Sequence, residues 1–132
     1  MNSAKTVLFV CVENSNRSQM AEAFARMHGA DTIDAQSAGS RPSGRVNPKA
    51  VAAMKVLGYD LTTHSSKGLD EFNGKEVEVA VTMGCGDECP LVIAKHRIDW
   101  QIPDPRDMTP EDFLGVRDLI EQKVKALIAS LD

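Results

Sequence analysis

The fold of this chain is decided by the sequence Val7-Leu8-Phe9-Val10-Cys11-Val12-Glu13-Asn14-Ser15-Asn16-Arg17-Ser18. Its first four residues are an apolar run typical of a buried strand, and residues 19–27 have a composition that favours a helix. A short loop from a buried strand into a helix points successive backbone N–H groups at one place, where the helix N-terminus adds partial positive charge. We therefore predict that residues 11–18 form an anion-binding loop.

Two side chains give this loop chemical potential. Cys11 at its start would lie beneath a bound tetrahedral oxyanion, and Arg17 at its end could bind two of the oxygens. The positive field favours the thiolate form of Cys11, which is the nucleophilic form. The alternative is an unreactive, buried cysteine at the end of a core strand. The strand before Cys11 and the helix after it favour the nucleophile.

The other residues of the loop suit the same purpose. Asn14 tolerates the positive φ that a tight loop requires. Ser18 either caps the helix or donates its hydroxyl to the Cys11 thiolate, and one hydroxyl could do both. The remaining members of the predicted oxyanion-binding loop are Val12, Glu13, Ser15 and Asn16.

Composition restricts the class of protein. A chain of 132 residues with 42% hydrophobic and 26% charged residues is ordinary for one globular domain, which we expect to span residues 1–132. The net charge of -4 argues against nucleic acid or an anionic membrane as a partner. There is no apolar run of membrane-spanning length and no apolar signal core, so we expect a cytoplasmic protein. Three cysteines, an odd number, suit reactive thiols in a reducing compartment.

Helix signals recur along the chain. The first helix is predicted over residues 18–28, with Gly29 as its stop. The second begins at Asn47-Pro48, with Asn as cap, and stops at Gly58. The last begins at Thr109-Pro110. The residues expected to pack in the core are Met20, Phe24 and Met27 of the first helix, and Phe113, Val116, Ile120, Val124, Leu127 and Leu131 of the last.

Strands are predicted over residues 6–10, 34–38 and 77–82, with a further short one near 97–100. Strands that alternate with helices indicate a parallel sheet. The predicted fold class is α/β: a three-layer sandwich with a central, mostly parallel four-stranded sheet and helices on both faces. Ligands bind such sheets at the carboxyl ends of the strands, which is where Cys11 lies.

The other two cysteines, Cys85 and Cys89, follow the predicted strand 77–82 in a stretch that contains glycine. That stretch could bring the two sulfurs together. Alternatively, both are incidental, or they form half of a metal site. A metal site needs three or four ligands, and only the distant His64 and His96 remain as candidates, so no metal is predicted.

Several motifs together resemble a known family. They are Phe9-Val10-Cys11, residues 14–22, Ser37-Ala38-Gly39, Val46-Asn47-Pro48-Lys49-Ala50 and Asp104-Pro105. In these segments, which are spread over nearly the whole chain, the sequence resembles the arsenate reductases built on the low-molecular-weight protein tyrosine phosphatase fold. The resemblance implies binding of arsenate, with phosphate or sulfate as mimics, and no cofactor.

The resemblance also implies a thiol relay. Cys11 attacks the arsenic while Arg17 and the loop amides hold the oxygens, and Asp104 donates a proton to the departing oxygen. Cys85 then attacks Cys11, which releases arsenite, and Cys89 attacks Cys85 to leave a disulfide for an external reductant. That reductant is expected to be thioredoxin, with glutaredoxin and glutathione or mycothiol as alternatives. From its own sequence, Asp104-Pro105 is either a common turn or a rigidly held general acid.

This chain departs from the family pattern at three places. Asn16 stands where many thioredoxin-coupled members have a second loop cysteine. Cys85 and Cys89 are closer in sequence than the usual relay pair. Some members bind potassium through an acidic residue after the His-Ser/Thr-Ser segment, but here Lys67 occupies that position. The ion is therefore not carried over to this chain.

Two other functions compete with arsenate reduction. The first is hydrolysis of phosphotyrosine, which would use the same Cys11, Arg17 and Asp104. Those phosphatases usually place tyrosines after the Asp-Pro pair, whereas this chain has Arg106 there and one Tyr and one Trp in all. The second is a redox-regulated binding module that turns over neither anion. We expect a monomer, because the predicted helices carry no surplus apolar stripe.

Overall fold

The computed structural model describes residues 5–11, 14–29, 32–39, 41, 43–68, 72, 75–83 and 93–131. Within these ranges the chain alternates strands and helices. The strands are β1 (Lys5–Cys11), β2 (Ile33–Gly39), β3 (Glu76–Thr82) and β4 (Ile93–Asp99). The helices are α1 (Arg17–Gly29), α2 (Pro48–Lys55) and α3 (Pro110–Leu131), and residues Leu61–Thr63 form one 3₁₀ turn.

The four strands form one parallel sheet in the order β2-β1-β3-β4. The predicted fold class is thereby confirmed. In this register Cys11 lies opposite Gly39, and its neighbour Val10 lies opposite Thr82. The carboxyl ends of the strands therefore meet at one edge of the sheet, and Cys11 is at that edge.

The two faces of the sheet bury alternate residues of β1, as the two-residue period of a strand requires. Val7 and Phe9 belong to the larger core cluster, which includes Phe24 of α1 and Ile120 of α3. Leu8 and Val10 belong to a second cluster on the opposite face. Strand β1 is buried on both faces, which explains its continuous apolar run.

The predicted helix starts are confirmed. The Asn47 side chain accepts a hydrogen bond from the Lys49 backbone N–H at 2.8 Å, with Pro48 at the first helical position. The Thr109 hydroxyl accepts one from the Asp112 N–H at 3.2 Å. Among the described helices, none is long and apolar enough to cross a membrane.

Three predictions need correction. Strand β4 runs from Ile93 to Asp99 and excludes Trp100, because this edge strand is largely exposed and lacks the apolar run by which a buried strand is recognised. Helix α2 ends at Lys55, and a turn separates it from Gly58, whose φ is +85°. Met27 is 37% exposed and lies outside the core.

Candidate active site

Of the predicted loop, Asn14, Ser15 and Asn16 precede α1, and Arg17 and Ser18 lie in the first turn of that helix. Asn14 has a φ of 51°, and it is the one non-glycine residue with positive φ in the described part of the chain. The Met20 N–H bonds to the Asn16 carbonyl at 2.9 Å, and the Asn47 N–H bonds to the Ser15 carbonyl at 3.0 Å. The loop is therefore held by the first turn of α1 and by the residue that caps α2.

A cleft of about 380 Å³ opens above this loop. Three guanidinium groups and one carboxylate contribute to its walls, so an anion would meet local positive charge although the whole chain carries -4. The described residues that line the cleft are Cys11, Ser15, Asn16, Arg17, Arg41, Asp104 and Arg106.

The hydrogen bonds of Asn14 and Ser18 connect the backbone of Lys67 to Cys11. The Lys67 backbone N–H can only donate, so the Asn14 atom that it meets at 2.8 Å is Oδ1, and the other atom is the donor Nδ2. Nδ2 donates to Ser18 Oγ at 2.8 Å. The other contact of Ser18 Oγ is Cys11 Sγ at 2.9 Å, where either atom could be the donor. A thiolate has no hydrogen and can only accept, so the Ser18 hydroxyl donates to the sulfur when Cys11 is a thiolate and stabilises that form.

Arg17 joins the loop to the segment that carries Asp104. Its Nη1 donates to the Ile102 carbonyl at 3.0 Å, in a buried position. This contact uses one of the five N–H donors of the guanidinium group. The side chain lines the cleft together with Cys11, so further N–H groups of the fork can bind oxyanion oxygens there.

Asp104 is exposed at the cleft, on a segment with buried residues before it and the buried Pro105 after it. Trp100 and Ile102 are buried, and the ring centroids of Trp100 and Phe9 are 6.0 Å apart. The Asp104 carboxylate accepts a hydrogen bond from the Arg106 N–H at 3.0 Å. This bond completes a turn and also presents the carboxyl group to the cleft, so the two interpretations of Asp104-Pro105 are compatible.

Four of the predicted site residues, Val12, Glu13, Cys85 and Cys89, lie outside the described residues. The strand before the two distal cysteines is described. At its end the Met83 N–H donates to the Val10 carbonyl at 2.8 Å. The chain therefore leaves β3 beside the residue that precedes Cys11, two positions before Cys85.

Sequence reasoning missed a buried polar layer beneath the loop. It treated His64 as an ordinary residue and gave no role to Gln19 or Tyr59. Gln19 is fully buried, and its Oε1 lies 3.0 Å from His64 Nδ1. Burial lowers the pKa of His64, although the nearby Glu22 carboxylate opposes that change. The sequence carried no signal for this layer, because the burial of Gln19 is evident only in the folded chain.

Glu22 is also buried, and it has its own partners. Its carboxylate accepts from Ser37 Oγ at 2.5 Å and from Arg26 Nε at 2.9 Å. Arg26 therefore already supplies a cation to this buried carboxylate. Across the described ranges, no group of three or more His, Cys, Asp or Glu residues could hold a metal ion.

Comparison with protein families places this chain in a known class. The family model described as low molecular weight phosphotyrosine protein phosphatase matches residues 6–132. The chain therefore belongs to the low-molecular-weight phosphotyrosine protein phosphatase family, in which arsenate reductases also occur.

Within this family the chain is similar to arsenate reductases. A glutaredoxin arsenate reductase from Synechocystis is 39% identical over 130 residues, which cover 96% of this chain and 98% of the relative. Arsenate reductase 2 from Staphylococcus saprophyticus is 37% identical over 125 residues, with 92% and 94% covered.

Two solved structures agree with this placement. An arsenate reductase in its phosphate-binding state has a TM-score of 0.88 and 38% identity, and the match covers 97% of this chain and 99% of that one. A thioredoxin-dependent arsenate reductase from Corynebacterium glutamicum has a TM-score of 0.81 and 27% identity. That match covers 98% of this chain and 63% of the Corynebacterium chain.

Proposed function

We propose that this protein reduces arsenate to arsenite, with Cys11 as the nucleophile. The observation that carries the proposal is the buried 2.9 Å contact between Ser18 Oγ and Cys11 Sγ, at the base of a cleft that three arginines line. A thiolate under an anion site can attack the central atom of a bound oxyanion. Relatives that cover nearly the whole chain are arsenate reductases, which favours arsenate as that oxyanion.

The reaction begins when the Cys11 thiolate attacks arsenic and forms a sulfur–arsenic bond. Arg17 binds the oxygens, and Asp104 gives a proton to the departing oxygen, which leaves as water. The Cys85 thiolate then attacks Cys11 Sγ. A Cys11–Cys85 disulfide forms, the sulfur–arsenic bond breaks, and its electron pair stays on arsenic, which leaves as arsenite.

Regeneration needs a second exchange and an external donor. Cys89 attacks Cys85 and frees Cys11 as a thiolate, and a reduced dithiol protein then reduces the Cys85–Cys89 disulfide. We propose thioredoxin as this donor, since a relative is thioredoxin-dependent, with glutaredoxin as the alternative that another relative's name suggests. Because the relay needs a reducing compartment, the proposal includes a cytoplasmic location. The enzyme is further proposed to act as a monomer.

The test is arsenate-dependent oxidation of NADPH, coupled through thioredoxin and thioredoxin reductase. We expect steady turnover for the wild type and at most one equivalent of arsenite for Cys85→Ser and Cys89→Ser. Parallel assays replace thioredoxin by glutaredoxin with glutathione. Sustained turnover of Cys89→Ser with thioredoxin would contradict the relay. If the wild type were inactive with every donor, arsenate reduction itself would be wrong.

Phosphatase activity on aryl phosphates is expected to be weak. The same Cys11, Arg17 and Asp104 can bind and attack phosphate. Among the described residues that line the cleft, however, none is aromatic, and Arg41 and Arg106 contribute to its walls. An aryl ring would find charged groups where it needs an apolar contact, so an inorganic anion fits the cleft better.

A further inference from the structure

The series of hydrogen bonds that leads to Cys11 extends beyond Asn14, to Gln19, His64 and Tyr59. Gln19 Nε2 donates to the Asn14 carbonyl and to Asn14 Oδ1, both at 3.0 Å, and also approaches the Ser65 carbonyl at 3.0 Å. Gln19 Oε1 is 3.0 Å from His64 Nδ1, and His64 Nε2 is 2.6 Å from the Tyr59 hydroxyl. A continuous chain of contacts thus connects Tyr59 to the nucleophile.

The donor and acceptor roles can be assigned for the outer part of this series of contacts, from Tyr59 to Asn14. Since Gln19 Nε2 faces three oxygens, which only accept, its partner Oε1 must accept from His64 Nδ1–H. Burial lowers the pKa of His64, so the ring is neutral at neutral pH and its Nε2 is an acceptor. Burial raises the pKa of Tyr59, which keeps its hydroxyl protonated and able to donate. The direction therefore runs from Tyr59 inward.

We propose that Gln19, His64 and Tyr59 are positioning residues that keep Cys11 in its reactive form, by fixing Asn14 so that Ser18 donates to the sulfur. They touch neither the anion nor the sulfur, and they act through Asn14. The amide of Gln19 donates to both the backbone and the side-chain oxygen of Asn14. These bonds stabilise the φ of 51° at Asn14, a conformation that is rare for a residue other than glycine. His64 in turn prevents rotation of that amide.

Acid should weaken the hydrogen bond between Tyr59 and His64, at the end of the series farthest from Cys11. His64 is faced by Glu22 and Arg26 from α1, by Lys67 and by the Tyr59 ring. Protonation puts a hydrogen on Nε2, which can then no longer accept from Tyr59, while Nδ1 still donates to Gln19. The inner bonds survive, so the effect of acid through His64 should be smaller than the effect of deleting Gln19.

The experiment measures the reactivity of Cys11 without arsenate. In a Cys85→Ser/Cys89→Ser background, the rate of alkylation by iodoacetamide is followed by mass spectrometry from pH 5 to pH 9. Because a hydrogen bond to a charged group is at stake, we expect Gln19→Leu and His64→Leu to slow alkylation at pH 7 about three- to tenfold. The pH of half-maximal rate should move upward. His64→Asn, which keeps a donor near the Nδ1 position, should recover most of the rate, and Tyr59→Phe should lose about twofold.

The matched control is His28→Leu, because His28 bonds to Glu121 on the surface and has no part in this chain. Profiles of Gln19→Leu and His64→Leu that coincide with the wild type would overturn the proposal, as would an equal change in His28→Leu. If near-ultraviolet circular dichroism shows that a leucine variant is unfolded, the test rests on Tyr59→Phe and His64→Asn. An alkylation profile of Tyr59→Phe that equals that of the wild type then refutes the positioning role.

The inference concerns the site of the proposed function, but its assay contains no arsenate. Normal alkylation profiles in the variants refute the positioning role, whatever the substrate is. Wild-type alkylation as expected, with no arsenate turnover, refutes only the proposed function. In the arsenate assay Gln19→Leu, His64→Leu and Tyr59→Phe should lower kcat and leave KM near the wild-type value. The reason is that none of the three replaced side chains lines the cleft.

Discussion

Replacement of Ser18 by alanine removes the hydroxyl that joins Asn14 to Cys11. Ser18 is fully buried, with 2.8 Å to Asn14 Nδ2 and 2.9 Å to Cys11 Sγ. Loss of a hydrogen bond to a charged group is worth about 1.5–3 kcal/mol, and 1.4 kcal/mol corresponds to about tenfold. The thiolate fraction of Cys11, and with it the alkylation rate at pH 7, should therefore fall by about ten- to a hundredfold. The replacement also leaves the buried Asn14 amide without this partner, which should lower the free energy of unfolding by about 1–3 kcal/mol.

Two measurements separate these effects. Alkylation of Cys11 in the Cys85→Ser/Cys89→Ser background reports reactivity, and urea unfolding reports stability. Ser130→Ala is the matched control, because the Ser130 hydroxyl bonds only within the last turns of α3, to the Leu127 carbonyl at 2.7 Å. A Ser18→Ala protein that is destabilised but reacts at the wild-type rate would refute the idea that this hydroxyl donates to the sulfur.

Three further replacements test other contacts. Arg17→Lys keeps the charge but loses the fork that binds two oxygens, so kcat/KM for arsenate should fall by about a hundredfold or more. Arg26→Met leaves the buried Glu22 carboxylate without its 2.9 Å cation, and urea unfolding should show a loss of about 2–4 kcal/mol. Burial lowers the pKa of His64, so the unfolded chain binds more protons and stability falls as the pH drops below about 6.5. In His64→Asn that fall should be less steep by up to about 1.4 kcal/mol per pH unit.

Each of these replacements has a contrary outcome, and Arg26→Met also has a matched control. Lys125→Met breaks an exposed pair of the same i,i+4 spacing, at 4.0 Å from Glu121, and should cost less than about 1 kcal/mol. Equal losses in the two methionine variants would mean that burial of Glu22 adds nothing. For Arg17→Lys, the contrary result is unchanged phosphate binding with normal turnover. A His64→Asn protein with the wild-type slope below pH 6.5 would show that His64 is not the group responsible.

The sequence predicted the strand, loop and helix around Cys11 because their signals are local. An apolar run, a residue that tolerates positive φ and a helix start lie within twenty consecutive positions. The start of β4 was wrong because an exposed edge strand has no continuous apolar pattern: residues 93–99 carry two lysine or arginine residues and a histidine, and Ile93 is 49% exposed.

The polar layer beneath the loop could not be predicted for a different reason. Gln19 and His64 are 45 residues apart, and their contact exists only because the segment after the 3₁₀ turn packs against the start of α1. The backbone of Lys67, which fixes the direction of the Asn14 amide, contributes no side-chain signal at all. Such a role depends on the assembled fold and leaves no mark on residue type.

A thiolate in an anion-binding loop can serve either hydrolysis or reduction, and the difference lies in which atom of the adduct is attacked next. Water that attacks the central atom restores the oxyanion without any change of oxidation state. A thiolate that attacks the sulfur leaves the bonding electron pair on the central atom, which arsenic(V) can accept to become arsenic(III). The second outcome requires a thiol beside Cys11, and here the chain leaves β3 with Met83 bonded to Val10, two residues before Cys85. The end of β3 beside Val10 and a cleft that three arginines line support the proposed reduction of a small inorganic anion.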